Sequence, residues 1–128
     1  MQLHLVRPLG FEMEDKQLRR AGLDYHEWAT VQVHDDFESW LQKVKPKRCF
    51  ALSTKGSVPY HTVQYQEGDA IVMGPESRGL PVEIREHAQV HGCIRIPMKP
   101  DNRSLNLSNA TAIVAYEAWR QLGFPGAI

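Results

Sequence analysis

Short, unbroken apolar segments alternate with helical patterns along this chain of 128 residues. Residues 49–52 and 70–73 are continuous apolar runs, which are typical of strands buried on both faces of a sheet. Residues 37–44 place apolar side chains at i, i+3, i+4 and i+7, which indicates a helix with one apolar face. This alternation predicts an α/β fold, with a mostly parallel sheet and helices on both faces.

The same patterns assign most of the chain to helices and strands. We predict strands at 3–6, 31–33, 49–52, 70–73 and 94–97, and helices at 14–21, 37–44, 81–88 and 110–122, the last with Ser108 or Asn109 as its N-cap. Residues 60–69 are interpreted as a polar connection between strands. Ligands of such sheets bind beyond the C-terminal ends of the strands, which is where Leu52, Gly74 and Ile96 lie.

Length and composition favour one soluble domain spanning residues 1–128. No apolar run approaches the roughly 20 residues of a membrane span, and the N-terminus has no signal-peptide pattern. Cys49 and Cys93 lie in strand-like runs and are interpreted as reduced core thiols of a cytoplasmic protein, with a disulfide or a reactive role as the alternative. The 15 basic and 15 acidic residues balance, so net charge does not indicate a nucleic-acid partner.

Three possible zinc ligands stand at and beyond the end of the third predicted helix. His87 and His91 stand at i and i+4, and Cys93 follows, a spacing that would suit zinc on a continuous helix. Gly92 and the strand that begins at residue 94 predict that the helix ends first, and no fourth ligand is evident. The sequence therefore predicts no metal site.

Two loops rich in glycine, asparagine and serine lie beyond predicted strands. Residues 74–81 carry Gly74 and Gly79 on either side of a glutamate and an arginine. Glycine lets the backbone turn with positive φ and lets a ligand approach the main chain closely. Residues 102–109 pack polar side chains around two leucines, and half-buried amides and hydroxyls must bond to backbone, to a ligand or to one another. The first segment is therefore predicted to be a binding loop, and the second to be half buried, with its polar groups bonded to one of these three kinds of partner.

These loops, together with residues 116–120 on the final helix, resemble the C-terminal signature of the SPOUT RNA methyltransferases. The resemblance is strongest to the SpoU-type branch, and within it to small enzymes that methylate the ribose 2′-hydroxyl of the tRNA wobble nucleotide. Residues 15–27, 50–56 and 94–98 also resemble that subfamily, so the likeness covers essentially the whole chain. It implies a C-terminal deep trefoil knot, S-adenosylmethionine as methyl donor, tRNA as substrate and a homodimer.

The resemblance also implies which residues bind the cofactor. The positions that match the family's adenine pocket are Leu52, Gly74, Ile96 and Ser104, with Thr54, Met98 and Leu105 as its lining. From the residues alone, Leu52 and Ile96 are equally typical of ordinary strand core. Gly74 and Ser104 are harder to explain in that way.

Two further groups of residues are implied at the substrate. Arg103 and Tyr116 match positions near the acceptor ribose, where a basic or charge-stabilising group would help to remove the hydroxyl proton. Arg103 could instead neutralise Asp101 or Glu117, and Tyr116 could be a core residue with a bonded hydroxyl. The charged side chains predicted to bind the RNA are Glu76, Arg78, Arg19 and Arg20.

Members of this subfamily carry a Pro-x-Asn-x-Gly-Asn-x-x-Arg motif on a further N-terminal strand and helix, and its arginine is thought to activate the ribose hydroxyl. This chain begins with residues that resemble the strand after that helix, and the motif does not occur elsewhere in it. Two functions therefore remain open: an active tRNA ribose 2′-O-methyltransferase, and a catalytically impaired fragment that binds the cofactor. A flavodoxin-like nucleotide-binding module is a more distant alternative, which the second loop does not favour.

Overall fold

A computed structural model describes residues 3–6, 32–74, 79–100 and 106–128. The chain divides into two compact units, Met1–Lys45 and Pro46–Ile128, and each is described by itself. The predicted helix at residues 14–21 lies outside the described residues, and the expectation of one domain stays a prediction.

The first unit contains a pair of parallel strands and one helix. Strands β1 (His4–Val6) and β2 (Gln32–His34) pair side by side, and helix α1 (Phe37–Val44) follows. The helix begins where the Asp36 carboxylate accepts a hydrogen bond of 2.7 Å from the backbone N–H of Ser39, and it ends at Lys45, whose φ is 50°. Its apolar face is buried, as predicted.

The second unit is built on a sheet of four parallel strands. These are β3 (Arg48–Leu52), β4 (Val58–Pro59), β5 (Asp69–Val72) and β6 (Gly92–Arg95), in the order β4-β6-β3-β5. All three pairings are parallel, which confirms the α/β prediction. The short strand β4 was not predicted, because two residues are too few to show an alternating pattern.

Both predicted helices of this unit have different bounds from those expected. Helix α2 (Val82–Arg85) is shorter than predicted, because the backbone turns at His87, whose Nδ1 accepts a bond from Gln89 N. Helix α3 (Leu107–Gln121) begins earlier than predicted, because Asn106 is its N-cap and accepts a bond of 2.8 Å from Asn109 N. The expectation that Ser108 or Asn109 caps this helix was therefore wrong.

The core of the second unit joins the sheet to α3. Its buried residues are Phe50, Tyr65, Ile94 and Val114, with Leu52, Ile71, Ile96 and Ala118 among those packed against them. Tyr65 is only 6% exposed, and its hydroxyl donates to the carbonyl of Tyr60 at 2.6 Å. Residues 60–69 are therefore more than the polar connection that was predicted, since they supply a core aromatic and a short 3-10 helix, Tyr60–Thr62.

Both cysteines are free thiols, as the sequence predicted. Cys49 is buried and Cys93 is partly buried. Burial raises the pKa of the Cys49 thiol to about 12, so it stays protonated and unreactive at neutral pH. None of the described helices has the length and apolar character that a membrane crossing requires.

Candidate functional site

Three predicted site residues meet at one edge of the four-stranded sheet. Strand β3 lies between β6 and β5, and because all three run in the same direction their C-terminal ends share an edge. Leu52 is the last residue of β3, Ile96 follows β6 directly, and Gly74 lies two residues beyond β5. All three are partly buried, so this edge is neither closed core nor open surface.

The turn after β3 is fastened to β6 by its backbone. Ser53 N donates to the carbonyl of Ile94 at 3.0 Å, and Gly56 N donates back to Ser53 O at 3.0 Å. A Cβ built on Gly56 would lie 2.5 Å from the Ile94 oxygen, so only glycine fits there. Thr54 is exposed in this turn. Gly56 was not among the predicted site residues, although its place four residues after a buried strand was a usable signal.

Gly74 marks a second close approach between backbone segments. A Cβ built on it would lie 2.3 Å from the carbonyl carbon of Gly79 and 2.4 Å from the nitrogen of Leu80. Gly79 itself has a φ of 68°, and Leu80 is buried. The two ends of the first predicted binding loop are therefore in contact, which gives Gly74 a structural reason to be glycine.

The remaining described pocket residues form an apolar rim. Leu52 and Ile96 pack against the core cluster while staying partly exposed, and Met98 is 42% exposed. Such a rim can receive the flat face of an aromatic ligand, with backbone groups at the strand ends available for its polar edge. Several predicted site residues lie outside the described residues: Arg19, Arg20, Glu76, Arg78, Arg103, Ser104 and Leu105.

Tyr116 lies on the surface of α3 and is 62% exposed, so the alternative of a core tyrosine was wrong. Its ring meets those of Trp119 and Phe124 edge to face, at centroid distances of 5.5 and 5.9 Å. The Trp119 and Phe124 rings are 5.0 Å apart, and the Trp119 indole N–H donates to Pro125 O at 2.9 Å. We call Tyr116, Trp119 and Phe124 the aromatic cluster. It holds the Tyr116 ring in one place while leaving most of it accessible.

Glu117 is occupied by bonds within its own helix. Arg120 donates to both of its oxygens, at 2.8 and 3.0 Å, and Gln121 donates at 2.7 Å. These bonds, with Arg120 as the main cause, lower the pKa of Glu117 to about 2. The carboxylate therefore stays ionised at neutral pH and is a poor candidate for a general base. The spacing of these residues at i, i+3 and i+4 was a signal that the sequence analysis missed.

A sheet of this kind is shared by several protein families, and comparison with known proteins decides between them. A model of the SpoU rRNA Methylase family matches residues 1–116. The chain belongs to this family. Membership confirms the resemblance read from the two loops and from residues 116–120, and it removes the basis for a flavodoxin-like module.

Individual SpoU-family relatives match nearly the whole chain. A tRNA (cytidine(34)-2'-O)-methyltransferase from Methylovorus glucosotrophus (strain SIP3-4) is 57% identical over 127 residues, which cover 99% of this chain and 82% of that protein. A solved structure concerning the 2-OH methylation of C/U34 on tRNA has a TM-score of 0.82 at 42% identity, covering 95% of this chain and 79% of that one. An AdoMet-bound rRNA methyltransferase from Sinorhizobium meliloti has a TM-score of 0.75 at 29% identity, covering 94% of this chain and 46% of that one.

Within this SpoU-family chain, the strand-end edge and the aromatic cluster are the two described features that bear on chemistry. The edge offers a partly exposed apolar rim, and the cluster offers an accessible phenol. Among the described residues, no group of three or more histidine, cysteine or acidic side chains is placed to hold a metal ion.

Proposed function

We propose that this SpoU-family protein is an S-adenosylmethionine-dependent tRNA ribose 2′-O-methyltransferase that acts in the cytoplasm on the wobble nucleotide, cytidine or uridine 34. The observation that carries the proposal is the 57% identity to an enzyme named for that reaction, in a match that covers 82% of that enzyme's length. The AdoMet-bound relative supports the choice of methyl donor.

The cofactor would be held at the strand-end edge of the sheet. Leu52 and Ile96 would lie against the adenine ring, and the backbone at Gly74 would approach its polar edge, with Thr54 and Met98 beside it. The apolar, partly exposed rim formed by Leu52 and Ile96 fits a flat heteroaromatic group. Ser104 and Leu105 would complete the pocket. When bound, the cofactor supplies an electrophilic methyl group that needs alignment more than activation.

The protein's own work would be at the acceptor hydroxyl, which is a poor nucleophile until its proton is removed. Tyr116, exposed and held by its two aromatic neighbours, would contact the acceptor ribose. Arg103 would stabilise the negative charge that develops on the oxygen. Glu76, Arg78, Arg19 and Arg20 would contact the rest of the RNA, because phosphates and exposed base edges bind such charged groups.

Two features of architecture complete the proposal. The C-terminal segment would be threaded as a deep trefoil knot, as the SpoU relationship implies. The protein would act as a homodimer through the exposed apolar surface at the end of α3, where Leu122 is 41% and Phe124 is 37% exposed. Removal of such a surface from water lowers the free energy and so favours the dimer.

The central test is transfer of a labelled methyl group from S-adenosylmethionine to unmodified tRNA. We expect incorporation into tRNA with an ordinary nucleotide 34 and none into the same tRNA carrying a 2′-deoxy nucleotide there. Arg103→Ala and Tyr116→Phe should lower turnover more than cofactor affinity, because a group acting on the acceptor oxygen is felt mainly in the transition state.

Calorimetric titration with S-adenosylhomocysteine separates the possible failures of this test. Binding without methyl transfer would support the catalytically impaired alternative. Transfer that persists on the 2′-deoxy tRNA would show that another nucleotide is the target. Neither binding nor transfer, in a folded sample, would contradict the proposed function.

A further inference from the structure

A single carboxamide joins the end of α3 to the segment that precedes β5. Gln121 Oε1 accepts from Tyr65 N at 2.8 Å, and Nε2 donates to Val63 O at 2.9 Å and to Glu117 Oε2 at 2.7 Å. The backbone N–H can only donate and the backbone carbonyl can only accept, so the orientation of the amide is fixed by its partners. Both amide hydrogens and the amide oxygen are therefore used.

The partners of Gln121 are themselves immobilised. Tyr65 belongs to the core cluster, and its hydroxyl is bonded to Tyr60 O at 2.6 Å. Glu117 also accepts two bonds from Arg120, one at each carboxylate oxygen. The carboxamide thus links the last turn of α3 to Val63 and Tyr65, at the end of the helix, where a chain is most prone to fray.

Tyr116 lies about one and a half helical turns before Gln121. Its ring is 62% exposed, and its ring contacts within the described part of the chain are those with Trp119 and Phe124, which lie at this same end of α3. The place of the Tyr116 hydroxyl is therefore determined by how the last two turns of α3 are seated.

We propose that Gln121 is a positioning residue for methyl transfer, because its carboxamide seats the end of α3 and so places the Tyr116 hydroxyl at the acceptor ribose. The inference rests on the proposed function and on the role proposed there for Tyr116. A displacement of a reacting group by about 1 Å can lower the rate by about a hundredfold. Loss of the carboxamide should therefore reduce turnover without any loss of a group that touches RNA or cofactor.

The first experiment replaces the carboxamide in two ways. Gln121→Met keeps the length of the side chain and removes all three bonds, whereas Gln121→Glu keeps the acceptor for Tyr65 N and removes the donors. We expect kcat to fall about ten- to a hundredfold in both, with the affinity for S-adenosylhomocysteine unchanged within about twofold. Gln42→Met, on the exposed face of α1, is the matched control and should leave both quantities unchanged.

A double-mutant cycle supplies the readout that a general loss of stability would not produce. If Gln121 acts through the Tyr116 hydroxyl, the fall in kcat caused by Gln121→Met should be about tenfold smaller in the Tyr116→Phe background than in the unsubstituted chain. Additive losses in an otherwise active protein would overturn the inference while leaving the proposed function intact. Loss of cofactor affinity in both Gln121 variants would also overturn it, because the residue would then hold the whole unit together. An unsubstituted chain that transfers no methyl group contradicts the proposed function itself.

Discussion

At the scale of single residues, glycines give the clearest contrast between a ligand site and a packing requirement. Gly74 was predicted to let a ligand approach the backbone, yet the segment that approaches it is the chain's own backbone at Gly79 and Leu80. A side chain at this position would have to displace main-chain atoms, which cannot rotate away as a flexible side chain can. The glycine is thus required whether or not a cofactor lies beside it.

Substituting Gly74 by alanine should therefore destabilise the protein. A Cβ at 2.3 Å from Gly79 C forces a backbone shift, and we expect a loss of about 2 kcal/mol or more in the free energy of unfolding, measured by urea denaturation. Gly92→Ala is the matched control, because the nearest atom to its Cβ in the described part of the chain would be in the Phe50 ring at 3.7 Å, an ordinary contact. Equal stability of the two variants would show that the backbone around Gly74 yields easily.

At the scale of helices and strands, the sequence predicted the elements that have strong local patterns. The apolar runs of β3 and β5 and the apolar face of α1 were recognised, because continuous apolar runs and a period of 3.6 leave clear traces; β3 is largely buried, whereas β5 is only partly buried, contrary to the expectation of burial on both faces. The early start of α3 was missed, since Asn106, Ser108 and Asn109 are all good N-caps and only the structure shows which one accepts the bond. Tyr65 was missed because a lone core aromatic in a polar segment has no periodicity.

The places of some candidate site residues in the fold were predicted to the same extent as the elements that carry them. The positions of Leu52, Gly74 and Ile96 followed from the rule that parallel strands present their C-terminal ends at one edge. The two bonds of Gln121 to Val63 and Tyr65 could not be foreseen, because those partners lie far from it in sequence and have no local pattern. Assignment of roles to Tyr116 and Arg103 depended on the family resemblance, and those roles stay predictions.

A pair of histidines across β1 and β2 should make stability depend on pH. His4 Nδ1 and His34 Nε2 are 3.0 Å apart, and His34 is buried. Burial is the main cause that lowers the pKa of both rings. At His4, the neighbouring His34 and then Lys43 lower the pKa further. At His34, Lys43 also lowers the pKa, whereas Asp35 raises it. Below the ordinary pKa of histidine, the unfolded chain therefore binds more protons at these two positions than the folded chain does.

The sign of the effect follows from that difference in proton binding. Stability should be complete above about pH 6.5, the ordinary histidine value, and should fall as pH drops from there toward the lowered pKa values of the folded state. Urea midpoints measured between about pH 7.5 and pH 5.5 test this. His4→Gln removes one titrating ring and should flatten the dependence. A wild-type midpoint that is constant over this range would contradict the prediction.

At the scale of the whole molecule, the exposed apolar surface at the end of α3 bears on assembly. Leu122 and Phe124 are exposed there, and such exposure is what a self-associating apolar surface requires. We expect a dimer at tens of micromolar by light scattering. Leu122→Glu should shift it toward monomer, because a charge would be placed in an apolar interface.

A matched substitution separates that effect from a general change of charge. Val82, on α2, is 45% exposed, similar to Leu122 at 41%, so Val82→Glu adds the same charge at an equally open apolar position. It should leave the dimer intact. A monomer in the unsubstituted protein, or equal dissociation in both variants, would remove the C-terminal end of α3 as the proposed interface.

The strand order β4-β6-β3-β5 also affects how the protein is made. Strands β3 and β5 can pair as soon as both have left the ribosome, but β4 bonds, among the described strands, only to β6, which is synthesised later. Until β6 emerges and inserts between β4 and β3, β4 stays unpaired and one edge of β3 is open. The sheet is therefore completed out of the order of synthesis, and the nascent chain needs protection from neighbouring chains until residue 95 is free.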